Sequence, residues 1–257
     1  MKVPLHLVEA RRQQLAALLQ QRSYLPIQEV CSLLQVSEAT ARRDLRALAR
    51  EKRIVRTFGG AVSDFNQRFA SFRERQTQFR DAKNRIAAGA RQLVQPSTTI
   101  YLDAGTTVAA LAEALRHKPV TPLRVVTHSL PAAETLAGVE GVTVFLTGGH
   151  FLNRQSILLG PEAGKALAFY TIDVAFLGAE AADKNGVWNS TEEVVHHQQI
   201  ALKRARHHAL CLDASKFGHT APAFLKAWSG VETLVTDLPE TELLKLASPI
   251  PKQVLHT

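Results

Sequence analysis

The sequence predicts a two-part α/β chain: an N-terminal winged helix-turn-helix followed by a larger, doubly wound, mostly parallel α/β domain. Three observations predict it. Positive charge is segregated, because residues 1–80 carry 15 Lys/Arg against 7 Asp/Glu while residues 81–257 carry 16 of each. Apolar residues recur at helical spacing as far as Leu48, interrupted by Pro26 and then by Ser37. From residue 83 onward, short apolar strands alternate with helical patterns, the sequence form of a parallel sheet covered on both faces.

Composition narrows the function classes. A chain of 257 residues with 46% apolar residues can bury a sizeable core. No apolar run approaches the roughly 20 residues of a membrane span, and the N-terminus lacks the pattern of a signal peptide. Cys31 and Cys211 are the two cysteines, too few for a disulfide framework or a Cys-based metal site, and a reducing cytoplasm is the expected compartment. The segregated charge fits a polyanion-binding module joined to a neutral one. A membrane-surface helix would want large apolar and aromatic residues opposite its basic face, which the first residues do not supply.

Val8, Leu15, Leu18 and Leu19 predict a first helix over residues 6–21. Ile27, Val30, Leu33 and Leu34 predict a second after Pro26, a residue tolerated at helix starts. Ser37 suits the N-cap of a third helix running from Glu38 to Leu48, with Ala41, Leu45 and Leu48 as its buried stripe. Two helices with a short turn between them, the second rich in arginine, match a helix-turn-helix. Its recognition helix enters the major groove N-terminus first, so Ser37, Glu38 and Thr40 would lie nearest base edges or phosphates. Arg42, Arg43 and Arg46 lie further along, on faces that reach phosphates or guanine edges. Asp44 reads as structural, paired with a nearby arginine. Residues 53–58 then alternate polar and apolar up to Gly59-Gly60, a wing strand that projects Arg56 toward a phosphate or the minor groove. The partner so predicted is double-stranded DNA.

The expected divisions are 1–60 for the DNA-binding domain, 61–80 for a linker and 81–257 for the second domain. In the linker, Phe65, Phe69, Phe72 and Phe79 interleave with arginines; docking onto a neighbouring domain explains them better than stacking on single-stranded nucleic acid, since no sheet platform surrounds them. In the second domain, strands are expected at 98–102, 123–127, 142–146, 174–178, 208–212 and 233–236, with a long helix at 192–206. Ligands of such sheets bind at the carboxyl ends of strands. Asp103-Ala104-Gly105-Thr106-Thr107 leads straight into a helix, where Gly105 permits close backbone approach and the two threonines and helix N–H groups suit a phosphate. Thr147-Gly148-Gly149-His150, Gly178-Ala179-Glu180 and Asp213-Ala214-Ser215-Lys216 end three further strands, with Lys216 placed to neutralise an anion. The doublets His196-His197 and His207-His208 predict no metal site, because adjacent helical residues diverge by about 100° and no further ligands complete a set.

These segments resemble the DeoR family of bacterial transcription regulators. Residues 36–45, Val-Ser-Glu-Ala-Thr-Ala-Arg-Arg-Asp-Leu, and Arg56-Thr57-Phe58-Gly59-Gly60-Ala61 look like its DNA-binding signature, with Ala41 where a large aliphatic is usual. Lys83-Asn84-Arg85-Ile86-Ala87, Asp103 to Thr107, Val126-Thr127-His128-Ser129, Gly148-Gly149 and Ser215-Lys216-Phe217-Gly218 look like the motifs of its C-terminal domain, in order. His128 replaces the usual Asn, Arg154 follows the glycine pair later than usual, and Val187-Trp188-Asn189 is unusual. The resemblance implies a sensor domain similar in fold to sugar-phosphate isomerases, binding a phosphorylated sugar through Lys83, Asp103, Gly105, Thr106, Thr107, His128, Gly148, Gly149 and Lys216. His128 would add a titratable group if it faced the site; a buried, hydrogen-bonded histidine is the plainer expectation.

It further implies a homo-oligomeric repressor of a carbohydrate catabolic operon, without cofactor or catalytic residues. The competing reading is a sugar-phosphate isomerase with a DNA-binding appendage, using Asp103, Glu180 or Asp213 as bases.

Overall fold

The computed structural model describes residues 4–21, 24–51, 54–56, 60–63, 70–247 and 249–257. The chain divides into two compact units, Met1–Ala70 and Ser71–Thr257. That division differs from the expected one. Of the described residues in the stretch expected as a linker, those up to Ser63 belong to a strand of the first unit and those from Ser71 onward to the second.

The first unit runs α1 (Leu5–Gln21), β1 (Tyr24–Pro26), α2 (Ile27–Leu34), α3 (Glu38–Arg50), β2 (Ile54–Arg56) and β3 (Gly60–Ser63). The wing is a three-stranded antiparallel sheet in the order β1-β3-β2. Leu15, Leu19, Leu25, Val30, Ala41, Leu45, Leu48 and Ile54 form the core of this unit. Ala41 is fully buried. The strand β1 spans three residues, too few for a periodic signal, so the sequence does not announce it. The wing tip, Thr57 to Gly59, lies outside the described residues, as do Arg53, Phe65 and Phe69 and the side chain of Arg56.

The second unit begins with α4 (Phe72–Thr77), α5 (Arg80–Arg91), β4 (Thr98–Leu102), α6 (Thr106–His117), β5 (Leu123–Thr127), α7 (Leu130–Leu136) and β6 (Val142–Leu146). A hairpin of β7 (His150–Leu152) and β8 (Ile157–Leu159) follows, then α8 (Pro161–Ala168) and β9 (Ile172–Leu177). The chain continues through β10 (Ala181–Asp183), β11 (Gly186–Asn189), α9 (Glu192–Arg204), β12 (Ala205–Leu212) and β13 (Ala223–Lys226). It closes with β14 (Thr233–Thr236), α10 (Glu240–Leu246) and β15 (Gln253–His256). The long helix thus ends at Arg204, and residues 205–207 belong to the strand instead. Of the phenylalanines in the expected linker, Phe72 is buried at the start of α4, whereas Phe79 is exposed.

Seven strands form one sheet in the order β15-β14-β12-β9-β4-β5-β6, every adjacent pair parallel. Two apolar clusters cover its faces, one around Ile86, Leu102, Leu111 and Phe176, the other around Tyr101, Leu177, Leu210 and Trp228. Burial on both sides is why the strands read as continuous apolar runs. The chain leaves β4 toward β5 and β6, then returns to lay β9, β12, β14 and β15 on the other side. The order therefore reverses between β4 and β9, and that reversal opens a crevice at their carboxyl ends. A small antiparallel sheet, β10-β11-β13, rises beside it. Among the described residues, no helix is long and apolar enough to cross a membrane.

Candidate functional site

The recognition helix α3 is built as its sequence implies. Ser37 is extended, and its Oγ accepts from Thr40 N–H at 3.4 Å while lying 3.0 Å from Thr40 Oγ1. Arg42, Arg43 and Arg46 are exposed beside exposed Ser37 and Glu38. Arg42 Nε donates to Glu38 Oε1 at 2.7 Å, an i,i+4 pair open to solvent. Such a pair is weak, so Arg42 can exchange its carboxylate for a DNA phosphate at little cost. Asp44 is structural: only 1% exposed, it takes Arg11 Nε on Oδ2 at 2.7 Å and Arg12 Nε on Oδ1 at 2.9 Å, binding α1 to α3. The basic residues of the first helix thus serve partly as internal partners. Replacing Arg42 and Arg43 by alanine should weaken operator binding and flatten its log–log salt dependence by about 0.9 for each phosphate no longer neutralised. Fluorescence anisotropy across a salt series checks this; an unchanged slope would show that neither arginine touches the backbone.

The second unit gathers its polar residues at the strand-order reversal. There a cleft of about 590 Å³, counting its open mouth, is lined by Asp103, Gly105, Thr106, Thr107 and Lys216 from the expected set. Gly105 sits at φ 110° with nothing near the position a Cβ would take, so glycine is required by backbone conformation and not by crowding. No side chain caps α6, whose first turn lines the cleft. Its N–H groups and dipole are therefore directed at whatever enters.

Arg75, Gln155, Glu180, Asn189 and Ser190 also line the cleft. Sequence reasoning places Arg75 in the linker. A signal exists in the short amphipathic stretch that starts at Phe72, but nothing in the sequence ties that stretch to the sheet. Glu180 Oε2 lies 4.0 Å from Arg75 Nη1 and Oε1 lies 3.6 Å from Lys216 Nζ. Burial holds the Arg75 guanidinium below its ordinary pKa, partly offset by Glu180.

Asp103 forms the cleft's floor and is only 2% exposed. Its Oδ2 accepts from Gly178 N–H at 3.1 Å and from Gln198 Nε2 at 2.6 Å. Its Oδ1 accepts from the Tyr101 hydroxyl at 3.4 Å and lies 3.0 Å from His128 Nε2. Gln198 Nε2 also donates to Gly178 O, and Asn189 Nδ2 donates to Gln198 Oε1 at 3.0 Å. A carboxylate so enclosed ties the end of β4 to the end of β9 and to α9, and through Gln198 and Asn189 to β11.

Other expected residues lie outside the cleft lining. His128 is fully buried; its Nδ1 faces Leu158 O at 3.2 Å, and Ala104 N–H donates to its Nε2 at 3.1 Å. Leu158 O can only accept, so Nδ1 carries a proton. His197 stacks on the His128 ring at 4.3 Å, and burial with this neighbour pushes the His197 pKa down to about 2. Lys83 Nζ donates to Arg75 O at 2.6 Å and Gln78 O at 2.7 Å, closing the end of α4; burial lowers its pKa to about 8. Lys83 thus holds the backbone of a cleft residue. Gly149, at φ 108°, packs where any Cβ would collide with Leu159 O, and Gly148, at φ 73°, precedes it in the approach to the β7–β8 hairpin. Trp188 Nε1 donates to Asp183 Oδ1 at 2.8 Å and its ring meets Phe224 edge-on, a packing role. Among the described residues no group of His, Cys, Asp or Glu could hold a metal ion.

Comparison with known proteins places both units. Residues 11–67 match a DeoR-like helix-turn-helix domain, and residues 78–238 match a DeoR C-terminal sensor domain. The chain is 30% identical to the HTH-type transcriptional repressor GlcR of Bacillus subtilis (strain 168), across 85% of this chain and 84% of that one. It is also 30% identical to the glycerol-3-phosphate regulon repressor of Escherichia coli (strain K12), across 86% and 88%. A solved ribose 5-phosphate isomerase A from Methanocaldococcus jannaschii matches at 19% identity with a TM-score of 0.38, over 53% of this chain and 54% of the other. That is a partial likeness of fold and brings no activity with it. These two sequence relatives are named as repressors, and neither name denotes an isomerase. The chain belongs to the DeoR family and is a DNA-binding transcriptional regulator rather than an enzyme.

Proposed function

We propose that this regulator is a cytoplasmic homo-oligomeric repressor of a carbohydrate catabolic operon, controlled by a phosphorylated sugar bound in the cleft between β4 and β9. One observation carries the reading: the uncapped first turn of α6, with Gly105, Thr106 and Thr107, opens into a cleft that also holds Arg75 and Lys216. Backbone N–H groups, two hydroxyls and two cations are the donors a phosphate monoester needs. The names of relatives agree in kind, one repressing a glycerol-3-phosphate regulon and another a lactose phosphotransferase system. A two-fold operator calls for at least two copies of the chain.

A ligand that binds the two DNA-affinity states differently shifts operator occupancy. A thermal-shift screen of the full chain against pentose, hexose and triose phosphates should yield one that raises the melting temperature and changes operator affinity. Thr106→Val and Lys216→Ala should each weaken that ligand about tenfold or more while leaving ligand-free operator affinity within about twofold, given charge-assisted hydrogen bonds worth about 1.5–3 kcal/mol. Equal loss of ligand response and DNA binding would show these residues to be structural and overturn the proposal.

A further inference from the structure

We propose that the edge strand β6 is the surface through which two copies of this chain assemble, pairing antiparallel across a two-fold axis. The inference rests on the homo-oligomer reading above and adds the surface that carries it. β6 ends the seven-stranded sheet, and among the described residues no strand pairs with its outer side. None of its five residues is buried, whereas β5 beside it buries four of five. Its ladder to β5 fixes which backbone groups are spare. Leu123 N–H donates to Gly141 O at 2.9 Å and Thr147 N–H to Thr127 O at 3.0 Å, so the odd-numbered residues of this stretch turn their N–H and C=O toward β5. Val142, Val144 and Leu146 therefore turn theirs away from it. Val142 N–H is taken by Val139 O at 3.1 Å, which leaves the N–H groups of Val144 and Leu146 at the open edge with the carbonyls beside them.

The chemistry of that edge fits a second copy of the chain. Sheets protect an open edge with charged side chains, proline or a bulge. β6 reads Val142-Thr143-Val144-Phe145-Leu146, without charge or proline, and its register with β5 is unbroken. The opposite edge, β15, carries exposed Gln253 and His256 at its two ends. Apolar side chains extend the β6 surface. Leu146 and Phe151 are each 42% exposed and Phe169 87%, the last adjoining Tyr170, whose ring packs 5.4 Å from that of Phe145. Arg124 stands one strand inward with its guanidinium 5.3 Å over the Phe145 ring, an attraction that pairing at the edge leaves intact. Across a two-fold axis a surface meets itself, so like charges on the axis would repel and an uncharged strand is self-complementary. A strongly basic or acidic partner would find no opposite charge on β6. Setting Val144 opposite Leu146 of the second copy, and the reverse, gives every spare N–H a spare carbonyl and places the two Phe145 residues directly across the axis from one another.

Analytical ultracentrifugation of the full-length protein over a range of concentrations is the test. The wild type should sediment as a dimer, or as a larger assembly built from dimers. Leu146→Lys brings a charge into the joint at a position already open to solvent in the single chain, so it spares the fold. Val144→Pro removes an outward N–H without touching the ladder to β5, the one side on which a strand tolerates proline. Each should halve the assembly or raise its dissociation constant about tenfold or more, since a charge or a lost pairing group at a buried joint is costly. Native tryptophan fluorescence in Leu146→Lys separates loss of assembly from loss of folding. Leu244→Lys, at an exposed apolar position on α10, should leave the assembly unchanged. An assembly that both β6 substitutions leave intact, or that Leu244→Lys dissociates equally, would overturn the role of β6 while a homo-oligomer still stands. A wild type that is monomeric at every concentration would overturn both readings and leave the open edge to a different protein.

Discussion

Replacing Asp103 by alanine is expected to destabilise the second unit by about 3–5 kcal/mol, because it leaves several buried groups without their charged partner at once. Gly178 N–H and the Gln198 amide lose the acceptor that joins β9 to α9, and the buried Tyr101 hydroxyl loses its own. At 2% exposure, water cannot replace it without opening the sheet. Both tryptophans, Trp188 and Trp228, lie in this unit, so their fluorescence during urea unfolding of the full chain follows it selectively. A destabilisation below about 1 kcal/mol would mean that the network is not what holds the strand ends together. The same substitution should remove the ligand response even in the molecules that remain folded, since Gly105 and the first turn of α6 follow directly from Asp103.

Replacing Asp44 by alanine should destabilise the first unit by about 2–3 kcal/mol, because two charge-assisted hydrogen bonds disappear together. The partners, Arg11 and Arg12, are 19% and 26% exposed, so water recovers part of their solvation and the effect stays below that of a fully buried pair. With α1 released from α3, operator affinity should fall more than any single surface arginine would explain. Circular dichroism should show an earlier helical melting step, while the tryptophan transition of the second unit stays in place. An unaltered helical transition would refute the structural role of Asp44. Persistence of DNA binding despite the earlier melting would show that tying α1 to α3 is not needed for docking.

The recognition helix is legible in the sequence because its physics is local. A serine cap, a buried stripe at helical spacing and an excess of arginine are all written within one helical segment, and α3 needs no distant residue to be identified. The alternation of strands and helices is legible for the same reason, as is the phosphate-suited turn from Asp103 to Thr107. The strands that escape such reading, β1, β10, β11 and β13 among them, are three or four residues long, and most of their pairing is with strands far along the chain.

Roles within the cleft are less legible, because they depend on which side chain faces which. Lys83, His128, Gly148 and Gly149 stand in motifs that read as ligand-binding, yet the fold turns Lys83 onto helix-end carbonyls, His128 into the floor and the glycines to backbone packing. Arg75 and Glu180 go the other way. Arg75 sits in a stretch that reads as linker, and Glu180 reads at most as a base of the competing isomerase; both reach the cleft because α4 closes onto α5 through Lys83 and β9 ends beside β4. Residue type and short-range spacing thus carry the DNA-binding helix, the class of sheet and the location of the cleft. The division of labour among the polar residues around that cleft comes from tertiary structure alone, since charge and hydrogen bonding act over a few ångströms of space and those neighbours lie up to 141 positions apart, as with Arg75 and Lys216 on either side of Glu180.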